Sequence, residues 1–180
     1  MTGSHPLGDH QKGGISGESR KNMVLSDKDI KEYITNGAIQ IAPFASTLLR
    51  AASYTLTLGQ KGYSLKKVSF IDVRVDTQSY EEIEINENGY EMLPGDFLVV
   101  LTRERIILND RVCGFLSSRG SRDQAGLHIL LSSLFIEPGF DNHIALELHN
   151  ISGNVIKLFP ASKMVKCIFL PTVSEAERKG

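Results

Sequence analysis

The segment HIALELHN, residues 143–150, places Ile144, Leu146 and Leu148 at every second position, with Ala145, Glu147 and His149 between them. That period puts the apolar residues on one face of an extended strand and the others on the opposite face. The same alternation recurs in SYTLTLG (53–59), YEEIEIN (80–86) and parts of FLVVLTRERI (97–106). NVIKLF (154–159) and MVKCIFL (164–170) read as further strands. Asn88-Gly89 and Pro94-Gly95 supply turn chemistry between such segments. A chain patterned this way folds as a β-rich barrel or sandwich rather than as alternating βαβ units.

Helix is confined to two places. In MVLSDKDIKEYITNG (23–37), Ser26 is a good N-cap and Asp29 completes a short capping box. Leu25 and Ile30 are spaced for a hydrophobic staple, Asp27 and Asp29 suit the positive N-terminus, and Gly37 is a natural stop. The pattern predicts a helix over about 27–35. SRDQAGL (121–127) could form a second, shorter one. Residues 1–22 are polar and Gly/Ser-rich without a period, and read as a disordered extension or an expression remnant. The expected domain is 23–173, followed by a short tail at 174–180.

Lys and Arg number 20 against 21 Asp and Glu, so nothing favours broad nucleic-acid or membrane binding, while a local basic pocket stays open. No apolar run reaches the roughly 18 residues a membrane helix needs. Cys113 and Cys167 lie far apart in sequence, and reduced, core-placed thiols in a cytoplasmic protein are expected.

Two features could carry chemistry. SSRGSRDQAGLHI (117–129) sets Arg119 and Arg122 among small residues, which suits either a solvated loop or a phosphate cradle. Glu147 is the one acid in a largely apolar strand. It is an ordinary solvent-face residue, or a general base if its face lines a pocket. Glu137, before a Pro-Gly turn, reads as a turn carboxylate. The histidines show no metal-ligand spacing, and the H-x-E with P-C-x-x-C of zinc deaminases is lacking, so no zinc and no directly bound metal is expected.

Several stretches together resemble the dCTP deaminases. MVLSDKDIKEYITNGAIQIAPF and AASYTLTLG are similar to the family's opening L-S-D-x-D-I helix and its A-S-x-D-L-x-L-G strand. YEMLPGDFLVVLTRERIIL resembles the following strand pair, and SRGSRDQAGL falls on G-R-S-S-x-x-R-x-G-L. FIEPGFDNHIALELHN resembles I-D-P-G-F-x-G-x-I-x-L-E-L-x-N, and LFPASKMVKCIFLP the last barrel strands. The resemblance implies a distorted jelly-roll barrel shared with the dUTPases, and a homotrimer with nucleotide sites between subunits. It also implies Mg²⁺ carried on a bound triphosphate, and a Glu at the position of Glu147 that activates water for attack on cytosine C4.

Departures from the family pattern qualify that picture. Arg119 and Ser121 keep the phosphate segment's Arg and second Ser, whereas Gly120 replaces its first Ser and Gln124 its second Arg. Arg122 is placed to compensate. Thr55 replaces the Asp of S-x-D-L, Glu137 the Asp of I-D-P-G, and Ser132-Ser133 a T-A pair; Ser133, Phe135 and Thr55 are the expected pocket residues. The family's C-terminal lid has no counterpart after Val173. The expectation is a nucleotide-binding protein with an eroded active site. An active dCTP deaminase using Glu147 is the alternative, and a dUTPase-like pyrophosphatase using Glu137 a weaker one.

Overall fold

Ser26 caps α1 (Asp27–Thr35). Its hydroxyl accepts from the Asp29 amide at 3.3 Å, and the Asp29 carboxylate accepts from the Ser26 amide at 2.9 Å and hydroxyl at 2.7 Å. Leu25 and Ile30 are both buried, as a staple requires. Asn36 closes the helix, and Gly37 follows at φ +80°, a left-handed conformation that suits glycine. The computed structural model describes residues 24–66, 68–72, 74, 79–130 and 133–178, so the expectation for residues 1–22 lies outside the described residues.

The hydrogen bonds from Ser26 hold the Asp29 carboxyl below its usual range. A depressed acid stabilises the fold above its unfolded pKa and loses that contribution as pH falls through the folded one. Ser26→Ala is therefore expected to cost about 1 kcal/mol at neutral pH. In urea unfolding the gap between variant and parent should narrow as pH falls through the lowered folded pKa of Asp29, and the part due to the Ser26 hydroxyl and the Asp29 amide should remain.

Twelve strands follow among the described residues: β1 (Ile39–Ala42), β2 (Leu49–Arg50), β3 (Ser53–Leu65), β4 (Tyr80–Glu84), β5 (Tyr90–Met92), β6 (Phe97–Leu108), β7 (Val112–Ser117), β8 (Leu127–Leu130), β9 (Phe135–Ile136), β10 (Asp141–Asn150), β11 (Ile156–Leu158) and β12 (Lys163–Pro171). The second helical segment is a single turn, α2 (Gly120–Asp123). The main sheet runs β8-β10-β6-β3-β12-β7-β9 and every pairing in it is antiparallel. β5 and β11 form a separate ribbon.

The long strands make the sheet curl. The first half of β3 pairs with β2 and β12, and its second half with β4 and β6. One strand thus serves two layers, and the core lies between them. Tyr54, Leu56 and Leu58 of β3, Ile106 of β6, Leu146 of β10 and Phe169 of β12 are all fully buried. One carboxylate lies in this interior. Glu104 is 1% exposed and accepts from both the Thr57 amide (2.8 Å) and hydroxyl (2.6 Å), which joins β6 to β3.

Both thiols are free and buried, and burial raises each above its ordinary pKa, Cys167 most of all. No helix among the described residues is long and apolar enough to cross a membrane.

Candidate functional site

Arg119 emerges where β7 ends, and α2 begins at the next residue. The turn beyond it brings Arg119, Gly120 and Ser121 against the outer side of the β3–β12–β7 layer. There they wall a cleft of about 630 Å³ with Arg50, Ser53, Ser117 and Lys166. Register explains the grouping. Lys166 stands opposite Ser117 on one side and Thr55 on the other, and Arg50 stands opposite Ser53. Directly opposed residues share a face of the sheet, so these cations and hydroxyls project together.

The lining holds three cationic side chains, Arg50, Arg119 and Lys166, and no carboxylate. Among the described residues none of the three lies within ion-pair distance of an acid. Arg119 is half-buried, and its Nε is shielded from solvent without a hydrogen-bond partner. A buried donor of this kind is costly to leave unpaired. Thr55, opposite Lys166 in the ladder, is fully buried and lies outside the cleft lining, and its hydroxyl is also unpartnered. The cleft thus has the charge, the hydroxyls and the spare donor to take an oxyanion such as phosphate.

Glu147 lies elsewhere. It is half-buried at the middle of β10, opposite Val99 of β6 and Leu130 of β8. It is absent from the lining of the arginine cleft, and β6 and β3 separate its strand from β12 in the sheet. Glu137 is exposed in the turn after β9, where Gly139 takes φ +83°. One chain therefore does not bring either carboxylate to the arginine cleft.

Of the other sequence candidates, Gln124 is exposed, and its amide donates to the Gly120 carbonyl at 2.9 Å; its side chain is not part of the cleft. Arg122 lies within α2, and its side chain, like the whole of Ser132, is outside the described residues. Ser133 is exposed and its hydroxyl donates to the Phe135 carbonyl at 2.7 Å. Phe135 packs on Phe115 with ring centroids 5.0 Å apart.

Sequence reasoning missed Arg50 and Lys166. A signal was present at Lys166, the sole charge in the apolar run Met164–Pro171, just as Glu147 is the sole acid in the run His143–Asn150. Arg50 gave none, because only the β2–β3 turn carries it to the cleft.

Comparison with known proteins places this chain in a family. The family model described as dCTP deaminase-like matches residues 24–171. The chain is 32% identical over 151 residues to a dCTP deaminase, dUMP-forming, of Coprothermobacter proteolyticus, covering 82% of this chain and 81% of that one. It is 30% identical over 162 residues to the protein of the same name from Methanosphaera stadtmanae, covering 86% and 82%. Among solved structures, the 2'-deoxycytidine 5'-triphosphate deaminase of Agrobacterium tumefaciens superposes with a TM-score of 0.68 at 18% identity. That match covers 83% of this chain but spans only 48% of the other, and it shows a shared jelly-roll fold. From its α1 cap to the end of β12, the chain belongs to the dCTP deaminase-like family of nucleotide-metabolising enzymes.

Proposed function

We propose that this protein binds a pyrimidine deoxynucleoside triphosphate between subunits of a homotrimer, and that its site holds the nucleotide without efficient turnover. The observation that carries the binding is the three-cation cleft, in which Arg50 and Lys166 supply charge that Gln124 does not. Arg119 and Ser121 take phosphate oxygens, and the buried Arg119 Nε gains a partner only when an acceptor arrives. The separation of Glu147 from this cleft within one chain supports a site completed by a second copy, whose β10 face would meet the base. The names of the relatives support a cytosine nucleotide as ligand.

Mg²⁺ belongs to the ligand in this reading. The cleft has no carboxylate, Thr55 stands where the family motif has Asp, and no group of three His, Cys, Asp or Glu among the described residues is placed to hold a metal. These residues do not fit a protein-held ion.

Loss of turnover rests on Gly120, which offers only backbone where a hydroxyl could order water or leaving ammonia. A second reading, active deamination, is favoured by the half-buried Glu147. In that reaction the carboxylate takes a proton from water as the oxygen attacks C4, then passes it to the amino nitrogen that departs as ammonia.

Calorimetric titration with dCTP, paired with an ammonia assay, separates the two. Saturable binding with background ammonia release, and binding retained in Glu147→Gln, is the expected result. Ammonia formed at an ordinary enzymatic rate, roughly 1–1,000 per second, and lost in Glu147→Gln, would establish the second reading instead. No saturable binding would overturn both.

A further inference from the structure

Two breaks in strand register lie side by side on β6. Between Leu58↔Thr102 and Gly62↔Val100, β3 places Gly59, Gln60 and Lys61 opposite Leu101 alone. Between His143↔Arg105 and Ala145↔Leu101, β6 in turn places Thr102, Arg103 and Glu104 opposite Ile144 alone. Extra residues bend a strand, interrupt its ladder and re-aim its side chains. Here the two bulges adjoin, and the backbones close up beneath them. A Cβ on Gly59 would stand 2.6 Å from the Leu101 carbonyl oxygen, so only glycine fits there.

Around the bulges opens a cleft of about 670 Å³, and it shares no lining residue with the Arg119 cleft. Gln60, Lys61, Arg103 and His143 line it, together with Glu87 and the Pro160-Ala161 turn. Ala161 sits at φ +57°, a left-handed conformation that a non-glycine residue adopts at a cost. Arg103 is exposed, and among the described residues no carboxylate lies within ion-pair distance of it. Lys61 is held at the rim by Glu82 at 3.2 Å. The His143 Nδ1 lies 2.8 Å from the Thr102 carbonyl oxygen. A carbonyl only accepts, so Nδ1 carries the proton and Nε2 is the atom left for another partner.

We propose that this double-bulge cleft is a second anion site, which binds phosphate, free or as the monoester of a small metabolite. Arg103 is the bidentate anchor, and His143, whose Nδ1 is held by Thr102, is the neighbouring ring that reports on the bound anion. A guanidinium without a carboxylate partner matches the planar fork that phosphate accepts. The charge of Lys61 is offset by Glu82, and Glu87 is the single acid in the lining. The site stands independently of the nucleotide reading above.

The test follows the His143 imidazole by NMR in the full chain at one fixed pH. His143→Gln assigns the signal, and chloride holds ionic strength constant while inorganic phosphate is added. A saturable shift is expected. Arg103→Gln should weaken the apparent affinity about tenfold or more, and Lys166→Ala, in the other cleft, should leave it unchanged. An unmoved His143 signal, or an equal response in Arg103→Gln, would overturn the proposal. Ribose 5-phosphate is the second probe. Tighter binding than phosphate assigns a monoester ligand and weaker binding the free ion; either ranking upholds the site. Arg103 is exposed, so its variant keeps the fold, which an unchanged thermal midpoint verifies.

Discussion

Arg119→Ala is expected to weaken dCTP binding roughly 100-fold while leaving the stability of the free protein unchanged or slightly higher. The two halves of that expectation have one cause. A bidentate guanidinium–phosphate contact is worth up to about 3 kcal/mol, which is a factor of about 100 in affinity. In the free protein the same guanidinium brings a cost, because its Nε is buried without a partner. Truncation removes that unsatisfied donor together with the phosphate contact. Calorimetric affinity and the urea midpoint, measured on the same preparation, check both signs. Binding within threefold of the parent would show that Lys166 and Arg50 hold the anion and that Arg119 is a bystander. A fall in stability of about 2 kcal/mol would instead mark Arg119 as a structural residue.

Phe169→Ala is expected to cost about 3–5 kcal/mol, the range for removing a fully buried aromatic side chain. Phe169 is 0% exposed. Its strand lies between β3 and β7 in the main sheet, and its carbonyl accepts the Leu25 amide at 3.0 Å, which fastens the start of α1 to β12. Across the ladder it faces Gly114, where an added Cβ would already stand 3.1 Å from the Ile136 side chain and 3.3 Å from the Cys167 sulfur. No neighbour there can grow into the space that alanine leaves. Against a total stability of about 5–15 kcal/mol for an ordinary domain, the loss is a large part of the whole. Phe169→Leu, which keeps most of the volume, should cost clearly less. Equal midpoints for the alanine variant and the parent in urea would contradict the packing described. Lys166 lies on the same strand, so nucleotide binding should fall only in proportion to the unfolded fraction.

The two expectations divide the molecule into layers. The inner faces of β3 and β12 are stability, and their outer faces are candidate chemistry. Lys166 belongs to the second layer although Cys167, one residue away, belongs to the first. A strand's alternation makes such close neighbours energetically unrelated.

Much of this was legible in the sequence, for local reasons. The Ser26–Asp29 box fixed the start of α1, because both halves of a capping box lie within one turn. The strands declared themselves by period two, and Ile144, Leu146 and Leu148 are the buried face of β10, as the alternation required. Glu147 fell on the opposite, half-buried face. Glycine at positive φ marks the two turns read from Asn88-Gly89 and Pro94-Gly95. Each of these depends on residues at most a few positions apart.

What only the tertiary structure decided depends on residues far apart in sequence. Lys166, Ser117 and Thr55 form one row because β12 pairs with both β7 and β3 in a particular register. A shift of one residue would send Lys166 inward. Arg50 reaches that row through a turn with no signature in its own letters. The double bulge around Gly59 and Arg103 is likewise invisible in either strand alone, because a bulge is a property of a pairing. The sequence by itself therefore determined which segments are strands, which face of each is apolar, and that one loop is rich in arginine and small residues. Register and curl, set by the packing of the whole core, decided which of those polar faces meet to form a cleft.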